Sequence, residues 1–322
     1  MKVITHNGVF HADEVTAIAL IELTKAGNST VEIVRSRDAS LWATNQAMPG
    51  SNDLPKGVDY VIDVGGINNR QWRLDHHQLE KGDVEYGISS AGLVWKYVVA
   101  RHYATYGTDY YGEYDGTGKS ADEVNPVLAA LIKKIDANDT GAARADDLYH
   151  EVIRALNGVD PYNQEEQDRL FRVAINFSKD VIRHLRGQAP KCNLGLPMTI
   201  ERASQMALTH GEVSREIKIN KQQKLLQAER YETAIAKAER SDGIIKFDKG
   251  ESYVPVSELI GKAHISVQWD STQECWSVQT IPIERGGFKS KFKLVPIGDE
   301  IFCHSAGFIS KTKTGRFNPV EQ

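Results

Sequence analysis

The chain has 322 residues, which is more than one small domain usually holds and favours two domains. Its 41% apolar and 25% charged residues are typical of an ordinary globular protein, and a net charge of −4 gives no overall basic character. Three scattered cysteines argue against a disulfide scaffold. No apolar run approaches the roughly 20 residues of a membrane-spanning helix. The first residues, MKVITHNG, resemble neither a secretory signal nor a transit peptide, so we expect a cytoplasmic protein without membrane contact.

Short apolar runs alternate with helical patterns in the first half of the chain. Strands are predicted at residues 2–5, 31–34 and 60–62, and helices from about residue 13, over 90–102 and over 121–135. This alternation predicts an α/β fold, in which a parallel sheet is covered by helices on both faces. Residues 103–119 are rich in Tyr, Gly, Asp and Thr without periodicity, and we expect a surface insertion there.

The second half of the chain has a different pattern. A long helical tract over 198–240 lacks a strict heptad, has one expected break at Gly211 and ends at the Ser-Asp-Gly of 241–243. From Ile244 onward the pattern favours strands, with clear runs at 264–269 and 276–281. We therefore predict three parts: a catalytic domain over 1–197, a helical connector over 198–243, and a smaller α+β domain over 244–322.

Four acidic and histidine-rich clusters each follow an apolar, strand-like run. They lie at residues 6–13, 63–66, 75–77 and 136–141. Since ligands of parallel α/β sheets bind beyond the carboxyl ends of the strands, we expect the clusters to converge. Carboxylates and imidazoles without thiolates favour Mn²⁺ or Mg²⁺. Two such ions about 3.5–4 Å apart can catalyse hydrolysis of phosphate esters.

Within these clusters, His6, His11 and Asp13 share one loop, and Asp63 ends a predicted strand. The side chains of adjacent residues diverge, so Asp75, His76 and His77 are not all expected to bind metal; one His can coordinate while Asp75 orients it. In the fourth cluster, Asp136 and Asp139 are both candidate ligands.

The residues of these motifs, and their order along the chain, resemble those of a known family. The segments are 5–14 (THNGVFHADE), 35–38 (RSRD), 63–66 (DVGG), 75–78 (DHHQ), 90–92 (SAG) and 303–309 (CHSAGFI). They are similar to the melanocyte-proliferating-gene branch of the DHH phosphoesterase superfamily, over nearly the whole chain. The resemblance implies a DHH-type catalytic domain with a parallel sheet, a C-terminal substrate-binding domain, a two-metal site and 3′-to-5′ RNA exonuclease activity.

The resemblance also implies roles for individual residues. One ion would be held by His6, His11 and Asp63, and the other by Asp13, Asp63, His76 and Asp139, with Asp63 bridging. His77 would face the scissile phosphate as a donor or proton shuttle. The catalytic candidates are therefore His77, the bridging Asp63, and Asp75, which orients a histidine. Asp139-Thr140-Gly141 looks like the superfamily's usual Asp-Thr-Gly, which favours Asp139 over Asp136. The superfamily more often has Asp where this chain has His11, so this site is less acidic.

Substrate-binding candidates lie outside the metal clusters. Arg37 could contact a phosphate in bidentate geometry. Residues 285–317 hold seven Lys or Arg against two acids, interleaved with Phe288, Phe292, Phe308 and Phe317. Cations that follow phosphates and aromatics that stack on bases are typical of single-strand binders, although Phe at alternating strand positions more often packs a core. We predict Arg37, Arg285, His304 and Gly307 as substrate-binding residues, the last two through the family-like closing motif.

Three functions follow from these observations. The leading hypothesis is a metal-dependent exonuclease that acts on RNA or short oligonucleotides. The second keeps the chemistry but takes a small substrate, such as pAp, a cyclic dinucleotide or polyphosphate. The third is a non-catalytic nucleic-acid-binding protein that metal ions stabilise. Homo-oligomerisation is compatible with all three.

Overall fold

The computed structural model describes most of the chain in two compact units. The described residues are 1–24, 31–42, 54–99, 125–158, 160, 163–186, 197–209, 211–251, 254–271, 273–284, 289–298, 300–303 and 307–321. The first unit comprises Met1–Gly158 and Asn163–Asn220, and the second comprises Val159–Tyr162 and Lys221–Gln322. The predicted insertion at 103–119 lies outside the described residues. Our three-part division at 197 and 243 stays a prediction.

The sheet of the first unit is parallel, as predicted. Its strands are β1 (Lys2–Thr5), β2 (Glu32–Arg35), β3 (Tyr60–Ile62) and β4 (Arg73–Leu74), in the order β2-β1-β3-β4. Val3 of β1 lies opposite Ile33 on one side and Tyr60 on the other, and Ile62 of β3 lies opposite Leu74 of β4. Because all four strands run the same way, the loops that follow β1, β3 and β4 leave the sheet at one edge.

Seven helices are present among the described residues, the last of which runs into the second unit. They are α1 (Ala12–Leu23), α2 (Ser90–Val94), α3 (Pro126–Asp139), α4 (Leu148–Leu156), α5 (Gln164–Leu185), α6 (Ile200–Leu208) and α7 (Gly211–Lys237). A π-helical turn, Trp95–Val99, continues α2. None of these helices is both long enough and apolar enough to cross a membrane. Helix α1 is buried along its whole length and packs against α2 and α5, so its few acidic residues are buried with it.

The helix boundaries differ from the predictions in identifiable ways. Helix α3 begins at Pro126, because Asn125 caps the backbone N–H of Leu128, and it extends beyond the predicted residue 135 to Asp139. The long tract consists of two helices, and α7 begins at Gly211, the expected break. It ends at Lys237 rather than near residue 240, because the next residues pair as a β-hairpin whose turn, Asp242-Gly243, has positive φ at both positions.

The second unit is rich in strands from Glu239 onward, as its sequence indicates. A six-stranded mixed sheet has the order β10-β11-β8-β7-β6-β5, and β9 pairs with β12. The strands are β5 (Glu239–Ser241), β6 (Ile244–Lys246), β7 (Ile265–Asp270), β8 (Cys275–Thr280), β9 (Phe292–Val295), β10 (Glu300–Cys303), β11 (Ile309–Thr312) and β12 (Asn318–Glu321). With the parallel sheet of the first unit, this makes the protein mixed α/β.

Candidate metal centre

The polar clusters converge at the edge where β1, β3 and β4 end. His6 follows β1, Asp63 follows β3, and Asp75 follows β4. The backbone of Asp63 is left-handed, with φ of 56°, a conformation that Asp tolerates better than most residues. Its N–H still donates to the carbonyl of Leu74 at 3.2 Å, so β4 holds the turn in place.

Asp63 lies at the middle of the cluster and is 4% exposed. One carboxylate oxygen, Oδ2, lies 3.3 Å from Nε2 of His6. The other, Oδ1, lies 3.3 Å from Nδ1 of His76 and accepts a hydrogen bond from Ser90 Oγ at 3.1 Å. Each oxygen of the Asp63 carboxylate therefore faces a different imidazole, and this side chain connects the groups that contain His6 and His76.

Glu14 is a site residue that the sequence analysis did not select. Its Oε1 lies 2.9 Å from Nε2 of His6 and accepts a hydrogen bond from the backbone N–H of His11. The side chain is completely buried. Burial opposes ionisation, but His6 more than offsets it and lowers the pKa of Glu14. The sequence carries only a partial signal for Glu14: the rest of α1 is largely apolar, as in a buried helix, but acids are also common in first helical turns.

Asp13 is the least compensated group in the cluster. It is completely buried, and neither carboxylate oxygen has a hydrogen-bond partner among the described residues; Oε2 of Glu14 has none either. Burial first, and then the carboxylates of Asp139, Asp63 and Glu14, raise the pKa of Asp13 well above its usual value. A buried carboxylate without a donor or cation is costly, by several kcal/mol or more.

The ligand atoms of the cluster fall into overlapping groups that fit metal ions. In each group the atoms lie within 4.8 Å of one another: His6, His11 and Glu14; His11, Asp13 and Asp139; Asp13, Glu14 and Asp63; Asp63, Asp75, His76 and His77. Oxygen and imidazole ligands with no cysteine suit Mn²⁺ or Mg²⁺. The unpartnered oxygens of Asp13 and Glu14 are the atoms that a cation would satisfy.

The structure distinguishes the two acids of the fourth cluster. Asp139 ends α3 and places Oδ2 2.8 Å from Nε2 of His76, within the cluster. The carboxylates of Asp139 and Asp63 more than offset the effect of burial and raise the pKa of His76 to about 9. Asp136 instead accepts hydrogen bonds from the N–H and Oγ of Ser89, at 2.9 and 2.7 Å. Gly92 leaves room for this contact, since a Cβ there would collide with Asp136.

Asp75 and His77 form a pair beside Asp63. Oδ1 of Asp75 lies 2.7 Å from Nδ1 of His77, and Oδ2 accepts a hydrogen bond from the N–H of Gly66 at 2.6 Å. Asp75 is buried, whereas half of the His77 side chain is exposed. The His77 ring stacks on that of His76, with centroids 4.5 Å apart. Asp75 therefore orients an imidazole that solvent and a substrate can reach.

The two arginines near β2 have different surroundings. Arg35 is buried; it donates to the carbonyl of Gly8 at 2.6 Å and lies over the ring of Phe171. It therefore supports the loop that carries His11. Arg37, two residues further along the chain, is exposed. Asp38 caps the N–H of Ser40 at 2.9 Å.

The remaining substrate-binding candidates belong to the C-terminal part of the chain. Arg285 and His304 lie outside the described residues. Gly307 has a positive φ of 72° and accepts a hydrogen bond from Leu294 N–H at 2.7 Å, so the backbone itself favours glycine there. Phe292 and Phe317 pack against an apolar cluster, in line with the core alternative for these rings.

The chain is similar in sequence to several known proteins. A protein of Mus musculus named MYG1 exonuclease is 27% identical over an alignment of 352 positions. The alignment covers 98% of this chain and 82% of the mouse protein. A Bos taurus protein of the same name is 26% identical, over 96% of this chain and 80% of its own length. The MYG1 protein of Chlamydia pneumoniae is 28% identical over 188 residues, or 56% of this chain; the match spans about half (53%) of the chlamydial protein.

The family model MYG1_exonuc, described as an uncharacterised protein family (UPF0160), matches residues 2–316. This match includes every described residue of the metal centre and nearly all of the second unit. The chain therefore belongs to the MYG1_exonuc family.

Proposed function

We propose that this protein is a two-metal-dependent phosphodiesterase, and specifically a 3′-to-5′ exonuclease that acts on RNA or short oligonucleotides. The observation that carries the proposal is the buried carboxylate of Asp13, which has no donor among the described residues and lies between other acids and imidazoles. The relatives named MYG1 exonuclease support a nuclease. The Asp75-His76-His77 arrangement supports placing the family in the DHH phosphoesterase superfamily.

The ligand set we propose is the predicted one with a single addition. It consists of His6, His11, Asp13, Glu14, Asp63, His76 and Asp139. When bound, a pair of divalent ions would lower the pKa of a water molecule and neutralise charge on the phosphate oxygens. Mn²⁺ is favoured and Mg²⁺ is possible, because the set combines imidazoles with carboxylates.

The other residues of the centre would position the substrate and move a proton. Asp75 holds Nδ1 of His77, which leaves Nε2 of the exposed ring free to give a proton to the leaving oxygen. The Gly66 N–H fixes Asp75 in turn. Arg37 is exposed and would hold a phosphate of the substrate in bidentate geometry.

The substrate class is tested by a time course with 3′- or 5′-end-labelled RNA, matching DNA and pAp, each in Mn²⁺ or Mg²⁺. We expect a ladder that shortens from the 3′ end of the RNA. Rapid cleavage of pAp alone would instead show the small-molecule phosphohydrolase. Absence of turnover on every substrate, with RNA still bound, would show the non-catalytic binder.

Asp63→Ala tests the metal centre itself. We expect turnover to fall by more than about 10³-fold, since positioned charge is usually the largest catalytic contribution. RNA binding should persist, because Asp63 is buried. Asp146→Ala is the matched control, since this exposed carboxylate pairs with Arg144 on the surface and should leave turnover unchanged. Turnover that survives in Asp63→Ala would contradict the proposal.

A further inference from the structure

The second unit contains a cavity that no residue of the metal centre lines. Its volume is about 590 Å³, within the range of ordinary small-molecule sites. The side chains that matter for its chemistry are Lys262, His264, Ile281, Ile283, Lys289 and Lys291. The cavity therefore combines cationic, aromatic and aliphatic groups.

The charge of this cavity is positive. Three lysines line it, and no acid is among its lining residues. Lys291 pairs with Glu321 at 3.5 Å, but Lys262 and Lys289 have no ion pair within the described part of the chain. Lysines without acidic partners, next to a concave surface, attract phosphate groups.

The aromatic and aliphatic surface of the cavity is formed by His264, Ile281 and Ile283. The His264 ring packs so closely on Gly243 that a Cβ there would lie 2.7 Å from its Cδ2, and its centroid is 5.8 Å from that of Phe292. Ile283 is 60% exposed although it is a large apolar side chain, whereas Ile281, two residues earlier, is buried. A fixed ring beside exposed aliphatic surface suits the face of a nucleobase.

We propose that this cavity binds one nucleotide of a single-stranded RNA, with its phosphates at Lys262 and Lys289 and its base against His264 and Ile283. The choice of RNA over another phosphate compound rests on the proposed function. The cavity itself does not depend on the metal centre, so the two proposals can fail separately.

The test measures equilibrium binding of a fluorescein-labelled single-stranded RNA of about eight nucleotides over a range of salt concentrations. All proteins carry Asp63→Ala, so that the probe is not consumed. The double variant Lys262→Ala/Lys289→Ala is compared with Lys218→Ala/Lys221→Ala, which removes the same charge from exposed residues of α7 outside the cavity and outside the basic stretch of residues 285–317. Thermal unfolding of each variant verifies that it is folded.

Each lost phosphate contact should lower the steepness of the plot of log K against log salt by ~0.7, so the cavity variant should lose about 1.4 in total. At ~0.1 M salt this corresponds to RNA binding that is about 25-fold weaker. The control should match the parent protein. His264→Ala should weaken binding without changing the slope, because stacking releases no counterions. An unchanged cavity variant, or an equal loss in the control, would overturn the proposal.

Competition and turnover separate the remaining cases. AMP should displace the RNA more effectively than inorganic phosphate; equal displacement would show a general anion site and overturn the proposal. Bis(p-nitrophenyl) phosphate turnover, measured with Asp63 intact, should be the same in the cavity variant and the wild type. If the cavity variant binds RNA normally and the wild type hydrolyses RNA, the nucleotide-binding role of the cavity is refuted and the proposed enzymatic function is not. If RNA binding depends on the two lysines but the wild type hydrolyses no RNA in Mn²⁺ or Mg²⁺, the proposed enzymatic function is refuted and the nucleotide-binding role of the cavity is not.

Discussion

The two ends of helix α1 carry buried acids in opposite electrostatic surroundings. At its C-terminal end, Glu22 accepts hydrogen bonds from Lys179 Nζ at 2.8 Å, from Val31 N–H at 3.0 Å and from Arg172. At its N-terminal end, Asp13 has no donor among the described residues. Burial raises the pKa of both, but at Glu22 the hydrogen bonds more than offset it and the pKa is lowered, whereas at Asp13 neighbouring acids raise it further.

The difference shows which buried acids indicate a ligand. Glu22 and Asp13 are equally buried and lie on the same helix. The protein supplies the cations for Glu22, and that carboxylate needs nothing else. None of the described residues donates a hydrogen bond to Asp13, so a bound cation is what would stabilise that end of the helix in the charged form. Burial alone would have placed both residues in the same class.

Removing the compensated acid should have the largest effect on stability. Glu22→Ala leaves Lys179 and Arg172 without their partner, and we expect the free energy of unfolding to fall by about 3 kcal/mol, at the lower end of the range for a broken buried pair because Arg172 is partly exposed. Urea unfolding measures the loss. A change under about 1 kcal/mol would show that Glu22 is not stabilised by these cations.

Asp75 refines the comparison, because it lies in the metal centre but is compensated by the protein, through His77 and the Gly66 N–H. Asp75→Asn should therefore lower turnover about 10- to 100-fold, as is usual for groups that orient a site from behind. The number of metal ions bound should not change. A variant that loses an ion would instead show that Asp75 is a direct ligand.

Asp147 gives the smallest expected effect and a pH dependence. It caps α4 and lies 2.8 Å from His150 Nδ1; burial opposes its ionisation, but these contacts lower its pKa to about 2. Because the folded pKa lies below the unfolded value, near 3.9, the stabilisation is full above pH 4 and is lost as the pH falls toward 2.

Asp147→Ala should thus cost about 1 kcal/mol of unfolding free energy at neutral pH. Its difference from the wild type should shrink between about pH 4 and pH 2. Asp147→Asn is the control, since it keeps a capping side chain and removes the charge. A difference that is constant over this pH range would show that the carboxylate contributes only as a cap.

The convergence of the metal centre was predictable because it follows from strand direction. Parallel strands place residues such as Asp63 and Asp75 at one edge, and the sequence shows where each strand ends. The role of Asp136 was not predictable, since its partner Ser89 is 47 residues away and the contact exists only once α2 and α3 pack. Burial of Arg35 was not predictable for the same reason: its partners Gly8 and Phe171 are distant in sequence.

Other misses had a signal in the sequence. Helices α4 and α5 lie in a region for which no element was predicted, yet Leu170, Ala174 and Phe177 recur at helical spacing in α5 and are buried. Asp147 and Asn163 stand at their N-terminal caps, as helix-start rules would indicate. Glu14 had a weaker signal, because an acid in a first helical turn also has an ordinary explanation in the helix dipole.

The central claim is that the uncompensated acids at the N-terminal end of α1 hold metal ions. Calorimetric titration of Mn²⁺ into the metal-free wild type, Asp13→Asn and Glu22→Gln tests it directly. We predict about two ions for each wild-type chain, as in two-metal sites, the same number for Glu22→Gln, and fewer for Asp13→Asn. Asp13→Asn should also unfold at a higher temperature than the wild type when both are free of metal. Equal binding by all three proteins, or no binding by any, would contradict the account.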